Sequence, residues 1–102
     1  MQVAPPEQIM EMDAALQAKE ERAGQELLDT TVNSLQSLGL AASSVLKRGD
    51  AATEIIDYVK EQKIDLIVIG SRGLSHIRSW LMGSVTRKLV HYSECSVLVV
   101  RN

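Results

Sequence analysis

At 102 residues, with 45% apolar and 24% charged residues, the chain has the balance of a globular domain, not of a disordered or fibrous segment. A chain of this length can bury a core without disulfides or metal. Its longest uncharged apolar runs, Leu66 to Ile69 and Val97 to Val100, fall far below the roughly 20 residues needed to cross a bilayer. The opening Met1-Gln2-Val3-Ala4-Pro5-Pro6 has neither the basic start nor the apolar stretch of a secretory signal. The expectation is one cytoplasmic domain, spanning 1–102, without a membrane or nucleic-acid partner.

The net charge of −2 conceals a separation. From Leu66 to Ser93 there is no Asp or Glu, while Arg72, Arg78, Arg87 and Lys88 all fall there, with His76 and His91. A stretch cleared of carboxylates suits an anionic ligand, because a nearby carboxylate would oppose it. Chance clustering on a solvated face accounts for the same pattern, so charge alone does not decide the point. Cys95 is the only cysteine; with two distant histidines it makes a poor start for a zinc site. It reads as a small residue near a strand start, and its neighbour Glu94 disfavours a reactive thiolate.

In chain order, Pro5-Pro6-Glu7 opens a helix: proline suits the first turn, and Glu7, Glu11 and Asp13 suit the positive end of the helix dipole. Ala23, Leu27, Leu28, Leu35 and Leu38 continue an apolar stripe that Gly39 is placed to end. The second half of this helix is expected to pack on a sheet, and the first half, with Lys19-Glu20-Glu21-Arg22, to be solvated. Ala41 to Lys47 reads as a strand closed by Arg48-Gly49. Asp50 then caps a helix whose apolar stripe is Ala51, Ala52, Ile55, Ile56 and Val59.

Ile64-Asp65-Leu66-Ile67-Val68-Ile69 is the strongest strand signal in the chain, a continuous run of the kind covered on both faces. A long Gly/Ser/Arg loop follows, then a helix of about two turns from Ser84 and a last strand, Val97 to Val100. Helix, strand, helix, strand, loop, helix, strand is an α/β order with a parallel sheet. Its crossovers are right-handed.

Gly70 stands directly after the strongest strand, where ligands of open parallel sheets sit. Gly70-Ser71-Arg72-Gly73 places two glycines three apart, so bare N–H groups can approach a phosphate with no Cβ in the way. Gly83-Ser84 then opens a helix whose first turn carries unpaired N–H groups, and the Ser84 hydroxyl can cap or bind an oxygen. Neither the dinucleotide fingerprint nor the Walker A pattern is present, since no lysine follows the last glycine and both glycine spacings are wrong.

The spacing that is present, glycine, two residues, glycine, nine residues, then Gly-Ser, resembles the ATP-binding motif of the nucleotide-binding universal stress proteins. Gly49-Asp50-Ala51, Asp65 to Gly73, Leu81-Met82-Gly83-Ser84-Val85 and Cys95 to Val100 look like that family in its order, from about Val3 to the end. Ser96 replaces a proline common before the family's last strand. The resemblance implies an open parallel-sheet, three-layer α/β/α fold of the adenine-nucleotide-alpha-hydrolase-like, Rossmann-like kind. It implies ATP as ligand, optionally with magnesium, held around the triphosphate and ribose by Gly70, Arg72, Gly73, Gly83, Ser84 and Val85. It also implies a homodimer formed by antiparallel pairing of the last strands, Val97 to Val100.

A complete domain of the family begins with a strand, a helix and a second strand, and an aspartate ending the first strand helps hold the adenosine end. Val3-Ala4-Pro5-Pro6 resembles the tail of that second strand, so the chain is expected to lack the first βαβ unit and to carry no substitute for the aspartate. With the family's strand order 3-2-1-4-5, the strand at Ile64 to Ile69 would have an open edge. Three arrangements answer that edge: direct pairing with Ala41 to Lys47, strands from another chain, or an incomplete product.

Other residues read more simply. Trp80 packs with Ile77 and Leu81 more readily than it stacks on adenine; His76 and His91 lack a carboxylate partner; Arg87 and Lys88 are helix-surface cations. No catalytic set appears, so the chain is expected not to be an enzyme, with any ATP hydrolysis slow and incidental. The leading expectation is an ATP-binding, nucleotide-responsive stress regulator acting through dimerisation or partner docking. The alternative is an interaction or dimerisation module whose phosphate loop no longer holds nucleotide. A phosphate or sulfate binder using the loop alone is a third.

Overall fold

The computed structural model describes residues 5–71 and 82–101. Contacts group the chain into two compact units, Met1–Leu46 and Lys47–Asn102.

The first unit is dominated by α1, Pro6–Ser37, a helix of 32 residues. Proline enters at its first turn, where its missing N–H costs nothing, and Glu7 lies in that turn. The end forms where Gly39 was expected to form it. Gly39, at φ +81°, donates to the Gln36 carbonyl (2.9 Å), and Leu40 donates to the Leu35 carbonyl (3.1 Å). These paired bonds form a Schellman stop, which needs the left-handed conformation that glycine adopts without strain. No side chain of α1 is buried. Its half-buried positions, Gly24, Leu28, Val32 and Leu35, all lie in the second half.

Ala41 to Lys47, expected as a strand, is irregular. An extended segment becomes a strand only when a neighbouring edge accepts its ladder, and the described residues of its own unit hold no strand. Its Ala42 carbonyl instead accepts from Gln36 Nε2 at 3.3 Å.

In the second unit, α2 spans Ala51–Gln62. Asp50 caps it as expected: one carboxylate oxygen accepts from the Thr53 N–H at 3.1 Å and the Thr53 hydroxyl at 2.8 Å. Gly49 before it sits at φ +136°, and a Cβ there would lie 2.8 Å from Glu54 Oε1, so the turn into α2 requires glycine. The helix closes at Lys63, a non-glycine residue in the left-handed region (φ 52°, ψ 48°). Ile64 N–H returns to the Val59 carbonyl at 3.0 Å.

Two strands follow in parallel: β1, Leu66–Gly70, and β2, Ser96–Val100, with α3, Ser84–Tyr92, between them in sequence. The register runs from Leu66 opposite Ser96 to Gly70 opposite Val100. An α/β architecture with a parallel sheet is therefore present, and among the described residues the sheet has two strands.

The core lies on one face of that sheet. Val59 of α2, Ile67 of β1 and Leu89 of α3 form its centre, with Ile55, Ile56, Ile69, Val85, Cys95 and Val97 packed around them. Leu89 is fully buried. The opposite face carries Leu66, Val68, Leu98 and Val100, all exposed. Cover on both faces of β1, expected from its unbroken apolar run, is thus present on one face only among the described residues of this unit. Alternating side chains of a strand point to opposite faces, and the residues that α2 and α3 bury, Ile67, Ile69 and Val97, all belong to one alternation.

Candidate functional site

The site forms where β1 ends and α3 begins. Parallel strands present their carboxyl ends together, and a helix entering beside them brings its first-turn N–H groups to the same edge. Three hydrogen bonds join these elements. Ser71 N–H donates to the Val100 carbonyl at 2.9 Å, Gly83 N–H donates to the Ser71 carbonyl, and the Thr86 hydroxyl donates to the Gly70 carbonyl at 2.8 Å. Ser71 and Thr86 are both buried polar residues. Their bonding inside the fold is what makes that burial tolerable.

Gly70 shows why its position suits a ligand. Its φ is not in the left-handed region, and among the described residues no atom lies within 4 Å of a Cβ built there. Neither backbone strain nor crowding demands glycine, in contrast to Gly39 and Gly49. What glycine supplies at Gly70 is open room beside bare backbone, the geometry through which a phosphate approaches N–H groups.

On the other side, Gly83 is the N-cap of α3 and makes no side-chain cap. The helix ladder begins with Arg87 N–H to the Gly83 carbonyl at 3.0 Å. The N–H groups of Ser84, Val85 and Thr86 therefore have no acceptor within the helix, as helical geometry dictates for a first turn. No acid lies in that turn, so nothing there competes with an anion for the positive end of the dipole.

Gly70, Gly83, Ser84 and Val85 of the expected set are thus brought to one edge of the unit, by strand register and by the bonds from α3. Their contributions differ. Gly83 is buried and its N–H is engaged with Ser71. Ser84 is exposed. The Val85 side chain packs against the core, so its backbone N–H is what it offers a ligand. Arg72 and Gly73 lie outside the described residues, as do His76 and Trp80.

Lys88, the neighbouring helix cation, acts on α2. The Asp50 carboxyl is held below the usual aspartate range, first by the Thr53 hydroxyl, then by the Thr53 N–H, and then by the positive charge of Lys88. His91 lies in the last turn of α3, where a cation suits the negative end of the dipole. Among the described residues no group of His, Cys, Asp and Glu side chains is arranged to hold a metal ion.

Ser71 and Thr86 escaped the reading of the sequence as site-forming residues. A signal for Thr86 was present: it lies three residues before Leu89, which puts a hydroxyl on the apolar stripe of α3. A polar group on a buried stripe must find a partner. The described residues include no helix long and apolar enough to cross a membrane.

The sequence model of the Universal stress protein family matches residues 1–101. Universal stress protein YxiE of Bacillus subtilis is 35% identical over 80 residues, covering 78% of this chain and 54% of its own length. A universal stress protein A-like protein of Arabidopsis thaliana is 32% identical over 98 residues, 96% of this chain and 54% of its own. Universal stress protein Sll1388 of Synechocystis is 32% identical over 84 residues, 82% of this chain and 54% of its own. The chain spans about half the length of these curated relatives. A match across nearly the whole chain, with the α/β order and the strand-to-helix edge described above, shows that it belongs to the universal stress protein family.

Proposed function

We propose that this chain is an ATP-binding stress-response regulator in which nucleotide occupancy alters dimerisation or partner docking. One observation carries the reading: the open backbone at Gly70 and the first-turn N–H groups of α3 sit at one edge, joined by the Gly83–Ser71 and Thr86–Gly70 hydrogen bonds. Such an edge suits the phosphates of ATP, with magnesium as their ordinary counter-ion. In this reading Gly70, Arg72, Gly73, Gly83, Ser84 and Val85 surround the triphosphate and ribose, within a three-layer α/β/α domain. A homodimer through β2 and a cytoplasmic address belong to the same proposal. The chain acts as a binder and not as an enzyme.

Calorimetric titration with ATP and, separately, inorganic triphosphate tests it. ATP is expected to bind more tightly than triphosphate, and a Gly83→Val, Ser84→Ala double variant to lose both. Gly70→Ala guards against a misfolded variant: its Cβ enters open space, so it should fold normally and bind ATP more weakly. No binding of ATP or triphosphate to the intact chain would sink the proposal.

A second reading has its own support. The exposed apolar face at Leu66, Val68, Leu98 and Val100 suits an interaction module that keeps the phosphate edge without using nucleotide, since apolar surface of this kind marks contact sites. Similar affinity for ATP and triphosphate would instead mark a simple phosphate binder.

A further inference from the structure

We propose that Thr86 is the positioning residue of the phosphate edge, clamping the first peptide of the loop so that the edge is preorganised for nucleotide; this rests on the ATP reading above. The Gly70 carbonyl and the Ser71 N–H belong to a single peptide unit, and a peptide unit is planar. Its oxygen accepts from Thr86 Oγ1 at 2.8 Å, and its N–H donates to the Val100 carbonyl at 2.9 Å. Held from α3 on one side and from β2 on the other, that plane cannot rotate without breaking a bond. The next peptide is tied as well, because the Ser71 carbonyl accepts from the Gly83 N–H. Two successive peptides at the exit of β1 are thereby locked to the start of α3.

The hydroxyl is the informative part of this side chain. Thr86 is only 2% exposed, in the first turn of α3 and three residues from the fully buried Leu89. Valine would fill almost the same volume there and pack as well. A threonine near a helix start commonly satisfies backbone groups of its own helix, but this one reaches 16 residues back to the end of a strand. The bond is part-buried, running from the buried Thr86 to the exposed Gly70, and its loss leaves the Gly70 carbonyl without that donor. Ligand sites gain affinity when their donors are held in place before the ligand arrives.

The test compares Thr86→Val and Thr86→Ser with the unchanged chain in three measurements: ATP titration, thermal melting, and amide hydrogen exchange at Ser71 and Gly83 against Leu89. Thr86→Val is expected to bind ATP up to roughly tenfold more weakly, the affinity equivalent of one hydrogen bond. It should also speed exchange at Ser71 and Gly83 while leaving Leu89 protected. Thr86→Ser, which keeps the hydroxyl, should restore both affinity and protection even if its missing methyl lowers the melting temperature. A purely structural role would make affinity follow melting temperature across the two variants, and that result would overturn the proposal. Wild-type ATP affinity and unchanged exchange in Thr86→Val would overturn it equally. If the unchanged chain fails to bind ATP, the nucleotide reading falls by itself, and exchange still decides the clamp: faster exchange reversed by serine supports it, and unchanged exchange removes it.

Discussion

The two faces of the β1–β2 sheet are built from similar residues and end in different surroundings. Ile67, Ile69 and Val97 meet Val59, Val85 and Leu89 and form the core. Leu66, Val68, Leu98 and Val100, alternating with them along the same strands, remain exposed, Val68 at 60% and Leu98 at 53%. The difference teaches that an apolar strand states a requirement for cover, while the helices decide which face receives it. One face stores the stability of the unit, and the other holds unspent capacity for contact.

Truncation on the covered face should have the largest effect. Leu89→Ala removes a fully buried side chain and is expected to destabilise by about 2–5 kcal/mol, read from chemical denaturation. Leu98→Ala, the same chemical change on the open face, should cost under about 1 kcal/mol, since a half-exposed side chain recovers little apolar burial. Equal losses would break the comparison and show that the open face is covered in solution. A paired Val68→Lys, Leu98→Lys variant sharpens it further: binding of a hydrophobic dye should fall while the melting temperature holds. A collapse of the melting temperature would mean that this face is part of the core.

Smaller effects come from the helix ends that frame the covered side. Lys63→Gly should stabilise by up to about 1 kcal/mol, because glycine adopts the left-handed conformation at the end of α2 without the penalty a Cβ brings. Unchanged or lower stability would show that the Lys63 side chain makes a compensating contribution. Acid titration should show the Asp50 cap. Its carboxyl is held below the ordinary range in the folded chain, so the folded state favours the carboxylate. The cap's contribution is fully present above the unfolded aspartate pKa and is lost as pH falls through the lowered folded value. Asp50→Asn, which retains capping geometry but does not titrate, should flatten that part of the acid profile; an unchanged profile would contradict the assignment.

Much of this arrangement was legible from residues. Gly39 ended α1, Asp50 capped α2, and the Ile64 to Ile69 run became β1 with both ends shifted, to Leu66 and Gly70. Local rules sufficed because each signal acts within one turn or one strand. Ala41 to Lys47 was not legible in the same way, since strand formation depends on an edge elsewhere in the chain. The open face of β1 was hidden for the same reason: the run Leu66 to Ile69 specifies apolar surface on both sides but carries no information on which helices arrive. At the site, glycine spacing pointed to Gly70 and Gly83, whereas Thr86 became meaningful only when α3 was set against the end of β1.

The bond between Gly83 and Ser71 also bears on how the unit assembles. Its donor and its acceptor lie far apart in the chain, so forming it carries a closure entropy that grows only with the logarithm of that separation, about 0.6 kcal/mol for each doubling. The Thr86–Gly70 bond, made between the same two elements, then forms with its ends already close. The edge is therefore expected to assemble as one step, its second bond free of the closure cost that the first one meets.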